Sequence, residues 1–258
     1  MQADTDHTVP PRANRLLAGL SDEEFEQLRP ELQRTFLEPK ARMVVANEPI
    51  SVVDFPLYGV ASQIATMKDG TTVEVGPVGR EGTTGLPLFL GVATTPIDTF
   101  MQIPGESMRM SAQSFRAAVD NLPGLRRRLQ LYTEATVTSM AWWVACNRIH
   151  VIEQRLARWL LMSHDRVLGD EFWLTQEFLS QMMGVRRASV SEVAAEFQRD
   201  GVIRYSRGEM RIVNRAALEC RTCECYWVVT REWDNLLGSD YLSGPKRVGE
   251  GAPPLRDA

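Results

Sequence analysis

The chain has 258 residues, 44% hydrophobic and 24% charged, with a formal net charge of -4; that is enough apolar material for about two folded domains and too much for a disordered chain. The acidic balance carries no global nucleic-acid signature, so any basic surface must be local, and 26 of the 29 basic residues (29 less Lys40, Lys68 and Lys246) are arginines suited to bidentate contacts. The longest apolar runs, such as 140–146, fall far short of the ~20 residues that cross a bilayer, the N-terminus lacks an apolar signal segment, and four cysteines without one fit a reducing cytoplasm.

Residues 1–13, with Pro10-Pro11, are expected as a flexible tail, and so are residues 238–258, rich in Gly, Pro and charge. Residues 14–122 read as a first domain. It opens with a short amphipathic helix, because Leu20 precedes Ser21-Asp22-Glu23-Glu24, a capping-box spacing. After Phe36, short β-prone runs alternate with turn signals about every ten residues, among them Asn47-Glu48-Pro49, Gly76-Pro77 and Pro104-Gly105. That spacing predicts an antiparallel barrel or jelly roll. Asp69-Gly70, set between 63–67 and 71–75, predicts a two-residue hairpin.

Over 123–150 the period becomes helical. Leu125, Leu129, Val137, Met140 and Val144 fall on one stripe with Trp142 and Trp143 beside it, a face to be buried on its own domain or on a partner helix. Residues 151–237 then read as a helical domain with a β-ribbon. Its first helix, 151–162, turns Leu156, Trp159 and Leu160 inward, and its last packs Tyr226, Val229 and Leu236 back on the body. The fold class is α+β.

The most informative stretch is 174–191. Thr175 is a good N-cap, with Leu174 and Leu179 in hydrophobic-staple positions. Phe178, Leu179, Met182 and Met183 form the inner face of one short helix, Gly184 supplies a sharp turn, and a second helix opens at Arg186 or Arg187 and buries Val190, Val193, Ala194 and Phe197. Two short helices joined by a Gly turn are the helix-turn-helix pattern, whose second helix enters the major groove N-terminus first. Arg186, Arg187 and Ala188 lead that helix, with the hydroxyls of Ser189 and Ser191 in the same turn. Residues 203–212 alternate around Arg207-Gly208 as a hairpin wing would. From 186 to 215 seven arginines face four acids, a local net of +3 in an acidic chain, the footprint of phosphate contacts.

A β-rich first domain, a long central helix and this winged helix-turn-helix resemble the Crp/Fnr superfamily of bacterial transcription regulators over roughly 14–235. The resemblance implies a homodimer zipped along the central helices, reading a two-fold operator on double-stranded DNA, with RNA polymerase as a further partner and no enzymatic activity. It implies that Arg187 reads a guanine, that Ser189 and Arg186 hold phosphates, and that Thr175 and Gln176 anchor the first helix to the backbone. Ala188 stands where many members carry an acidic base-reader, so the operator is not inherited from relatives. It also implies an effector pocket in the β-domain, where Gly79-Arg80-Glu81-Gly82 matches part of a cyclic-nucleotide cassette; the phosphate-binding part, at Thr94-Thr95-Pro96, lacks its arginine. An uncompensated buried phosphate is costly, so an effector other than cyclic AMP in the usual mode, or none, is expected, with a cyclic-nucleotide-responsive regulator as the alternative.

Cys220-x-x-Cys223-x-Cys225 offers three thiolates, with Cys146 as a distant fourth. The expected reading is cytosolic thiols at the start of a helix, with no metal and no cofactor; redox exchange among Cys220, Cys223 and Cys225 stays open, and a thiol oxidoreductase using Cys223 and Cys225 is the competing class. A non-specific architectural DNA binder is a third. His7, His150 and His164 are expected as structural or exposed residues.

Overall fold

The computed structural model describes residues 9–238; His7 and positions 239–258 lie outside the described residues. Val9–Ala13, expected as part of a tail, are instead ordered: the buried Val9 and Ala13 join the core of the first domain. Asn14 follows as an N-cap for α1 (Arg15–Ala18), its side-chain Oδ1 accepting the Leu16 amide at 3.0 Å. Ser21 caps α2 (Asp22–Leu28) through the Glu24 amide at 3.1 Å. The capping box does not close on itself, because Glu24 accepts the Gly124 amide at 2.7 Å.

The strands β1 (Gln33–Leu37), β2 (Arg42–Val44), β3 (Val52–Pro56), β4 (Val60–Thr66), β5 (Thr72–Val78), β6 (Asp98–Ile103) and β7 (Gly105–Ser111) follow, with the one-turn α3 (Leu86–Phe89) between β5 and β6. They pair antiparallel in two sheets ordered β1-β7-β3 and β2-β6-β4-β5, a jelly-roll arrangement and not a closed barrel. The β4–β5 hairpin forms where Asp69-Gly70 predicts it, but its loop is one residue longer. The Met67 amide bonds to Thr71 across Lys68-Asp69-Gly70, and Gly70 takes φ +85°, the left-handed residue that closes a three-residue loop.

Helix α4 (Ala112–Asn121) leads through Leu122 into α5 (Pro123–Ile149). The predicted stripe on α5 divides between two faces. Leu125 and Leu129 turn inward with Tyr132, Ala135, Ser139, Trp143 and Cys146, whereas Val137, Met140 and Val144 are exposed on another face, Val144 at 72%. The reason is angular: Val137 is eight residues beyond Leu129, and small residues such as Ala135 and Ser139 let the body approach the helix there.

Helix α6 (Ile152–His164), β8 (Glu171–Trp173), α7 (Gln176–Met183), α8 (Arg187–Arg199), β9 (Ile203–Ser206), β10 (Glu209–Ile212) and α9 (Arg215–Arg221) build the second core, around Leu156, Leu160, Leu179, Val190, Phe197 and Ile212. The last helix, α10 (Glu224–Leu237), crosses the expected boundary. Tyr226 joins that second core, but Val229, Trp233 and Leu237 join the first, Trp233 packs tilted against Tyr132 with ring centroids 5.6 Å apart, and Arg15 reaches the Trp233 carbonyl at 2.8 Å. Leu236, expected as a packing residue, is only partly buried. No described helix is long and apolar enough to cross a membrane.

Candidate nucleic-acid interface

Thr175 and Gly184 set the geometry of α7. The Thr175 hydroxyl accepts the Phe178 amide at 3.1 Å, a cap worth ~1 kcal/mol. Gly184 ends the helix at φ +62° and ψ +39°, and the Val185 amide closes on the Ser180 carbonyl at 3.0 Å, the left-handed stop that a residue without Cβ takes most readily. The chain therefore turns within one residue, and α8 starts at Arg187 after Arg186 as N-cap. Its inner face buries Val190, Ala194 and Phe197, with Val193 half-buried.

Arg186, Arg187 and Ala188 are all exposed at this helix start, where unpaired backbone amides carry partial positive charge. Ser189 is half-buried beside them, and Thr175 is exposed at the neighbouring α7 start. Ser191 differs from its expected role as a donor to the ligand: its hydroxyl lies 2.8 Å from Gln176 Oε1 and 3.0 Å from the Arg187 carbonyl. Ser191 and Gln176 thus join the two helices to one another.

The wing is the β9–β10 hairpin, with Glu209 opposite Ser206 and Ile212 opposite Ile203. Arg207 and Gly208 at its tip have φ of +50° and +91°, the two left-handed residues of a type I′ turn. Strand β8 pairs with β10 as a third strand, and the Trp173 ring lies where a Cβ on Gly208 would come within 2.8 Å. The charge count from 186 to 215 overstates the exposed excess. Arg215 is buried and paired with Asp165 at 2.8 Å and Glu219 at 2.7 Å, and Arg211 pairs with Glu171 at 3.2 Å. Arg186, Arg187, Arg199, Arg204 and Arg207 remain exposed.

The β-domain positions named for an effector do not assemble into one pocket. Arg80 and Glu81 are buried. Glu81 accepts the Gly79 amide at 3.0 Å and Arg166, two residues past the end of α6, at 2.9 Å, and a Cβ on Gly82 would stand 2.3 Å from the Tyr132 ring. This turn is a packed joint between sheet and helices. Thr94 is exposed, while Thr95 lines a cavity of about 170 Å³ between the roll and α5, with Val44, Gln63, Val75, Thr84 and Met140. A second cavity, about 350 Å³, lies between β5, α5 and α6, with Glu74 and Trp159 on its wall. Burial raises the Glu74 carboxyl above its ordinary range, against the hydrogen bond from Trp159 Nε1 at 2.8 Å.

The thiols also group differently from their order in sequence. Cys220 is exposed and stands apart, whereas Cys146, Cys223 and Cys225 are buried together. His150 joins them, while His164 is held between Asp170 at 2.7 Å and Arg215 at 2.8 Å, a structural role. Hydrogen bonds from Cys223 and Cys225 pull the Cys146 thiol down to about 3, and the same contacts push Cys225 up. Reading the spacing of the last three cysteines alone leaves Cys146 distant and misses His150; the i,i+4 spacing of Cys146 and His150 was the available signal.

Residues 154–221 match the Crp-like helix-turn-helix domain family. No protein of curated function matches the sequence. Among solved structures, FixK2 from Bradyrhizobium japonicum superimposes with a TM-score of 0.63 at 14% identity, over 74% of this chain and 98% of that one. A putative transcriptional regulator of the crp/fnr family from Eubacterium rectale gives 0.59 at 13% identity, over 80% and 96%. The c-di-GMP responsive global regulator CLP of Xanthomonas campestris gives 0.58 at 13%, over 74% and 99%. At these identities the likeness is one of fold.

Proposed function

We propose, from the premise that residues 154–221 are a Crp-like helix-turn-helix domain carried on a Crp/Fnr fold, that the protein is a homodimeric, sequence-specific DNA-binding regulator of transcription. The observation that carries this reading is the exposed Arg186-Arg187-Ala188 turn at the start of α8, held in place by the Thr175 cap and the Gly184 stop. Arg187 reads a base edge, its planar fork suited to guanine. Arg186, Ser189, Thr175 and the wing Arg207 hold phosphates, while Gln176 and Ser191 set the angle between the helices.

The exposed face of α5 supports the homodimer. Val137, Met140 and Val144 lie along one side of a 27-residue helix, and burying such a side chain contributes ~1.5–3 kcal/mol. A parallel copy of the same helix covers that face isologously and sets two recognition helices for two half-sites. The cavity of about 170 Å³ is walled by hydroxyl, amide and apolar groups, which supports a small uncharged effector, or none, over a cyclic phosphate. Burial of Cys223 and Cys225 argues against a thiol oxidoreductase, whose dithiol must meet its substrate.

The test is titration of the purified, effector-free protein against DNA from upstream of its own gene and against sites selected from random sequence, with scrambled competitor at near-physiological salt. Binding that survives competitor supports the reading. Binding that scrambled DNA abolishes, with every selected site and every added effector, overturns it.

A further inference from the structure

Four soft donors converge where the long helix ends. Cys146 and His150 stand one turn apart at the end of α5, Cys223 is the N-cap of α10, and Cys225 is in its first turn. Their ligand atoms all lie within 4.8 Å of one another. Cys146 Sγ is 3.5 Å from Cys223 Sγ, and Cys225 Sγ is 3.6 Å from His150 Nδ1. A tetrahedral zinc with bonds of about 2.3 Å to sulfur and about 2.0 Å to nitrogen separates sulfur from nitrogen by roughly 3.5 Å and sulfur from sulfur by roughly 3.8 Å, and both contacts come within a few tenths of an ångström of those spacings.

The surroundings are those of a metal site as well. His150 turns Nδ1 toward the thiols and places Nε2 3.3 Å from Glu224 Oε2, the carboxylate–histidine arrangement that fixes a ligand's tautomer. Trp142 covers the cluster from the apolar side. Arg155 and Arg158 act on Cys146 electrostatically, which offsets the single negative charge of three thiolates around a divalent ion.

We propose that Cys146, His150, Cys223 and Cys225 bind one zinc ion, which clamps the end of α5 to the start of α10. Three sulfurs and one imidazole in a closed tetrahedron are a structural zinc set. A multi-iron cluster is disfavoured, because its terminal ligands sit on different irons and are spread wider than ligands sharing one ion. Binding releases whatever protons the ligand thiols still carry, so affinity rises with pH. The location gives the ion its role. The chain leaves α5 at His150 and enters α6 at Ile152, so the clamp fixes the direction in which residues 154–221 leave the long helix, and losing the ion loosens it.

The test uses the full-length protein purified under reducing conditions. Zinc content is measured by mass spectrometry, and the metal-free protein is titrated with Co²⁺. The expected result is about one zinc per chain, with thiolate-to-Co²⁺ charge-transfer bands and tetrahedral visible bands. Cys220→Ser leaves both unchanged, Cys223→Ser abolishes tight binding, and His150→Ala alters the visible bands. Glu224→Ala keeps the fold, since that side chain is half exposed, yet weakens Co²⁺ binding ~10–100-fold. Equal Co²⁺ binding by Cys220→Ser and Cys223→Ser, an octahedral spectrum without charge transfer, or a Cys146–Cys223 disulfide in metal-free protein overturns the assignment. These readouts do not involve DNA, so failure here is distinct from failure of the DNA-binding reading.

Discussion

Replacing Arg187 with Ala tests the base-reading role proposed for it. Arg187 is the first residue of α8 and is exposed, and among the described residues no hydrogen bond or ion pair engages its guanidinium. Alanine is a good helix former, so the change should leave unfolding free energy within about 0.5 kcal/mol of the parent. The whole effect then falls on DNA. A bidentate guanine contact is worth ~1–3 kcal/mol, and two half-sites double that to ~2–6 kcal/mol, or roughly 30-fold to 10⁴-fold in Kd. Fluorescence anisotropy against the selected operator, against operators changed at one base pair per half-site, and against scrambled DNA, each over a salt series, resolves the terms. Loss confined to the operator, with relaxed preference at one position per half-site, is expected. An equal loss on operator and scrambled DNA, together with a shallower salt slope, would show that Arg187 is only a phosphate contact.

Arg207→Asn retains a residue tolerant of the left-handed wing tip and removes its charge. It should weaken all DNA evenly and lower the salt slope by about 0.9 per half-site, and an unchanged slope would remove the wing from the interface. Val144→Glu, at a site 72% exposed in the single chain, should convert the proposed dimer to monomer in sedimentation equilibrium; a dimer that persists places the interface elsewhere. Glu74 is raised by burial, so its contribution to stability is present below the unfolded value near ~4.3 and is lost as pH rises through the higher folded value. Glu74→Gln, which still accepts from Trp159, should therefore melt higher than the parent at pH 7–8, with the gap closing toward pH 4. A gap that widens on acidification would contradict the burial argument.

The features legible in the chain itself are those set by neighbours a few residues away. The Thr175 cap, the left-handed stop at Gly184 and the Arg207-Gly208 turn each arise from local backbone and side-chain chemistry, and with the helical and alternating periods they specify a winged helix-turn-helix and a β-roll. Even there the loop at Asp69-Gly70 was one residue longer than its dipeptide signals, because several loop lengths place Gly at the left-handed position. What the chain could not announce depends on residues far apart in sequence. Arg80-Glu81 resembles part of a ligand cassette locally, and only the approach of Arg166, 85 residues beyond Glu81, turns it into a packed joint. Arg215 counts as surface charge until Asp165 and Glu219 enclose it. The apolar positions of α5 drift round the helix from Leu125 and Leu129 to Val137, Met140 and Val144, and tertiary packing decides which of those faces is covered. Cys146 meets Cys223 across 77 residues, because α10 folds back onto α5. Pairings at such separations carry no periodic signal; they are decided by which apolar faces the folded chain must cover.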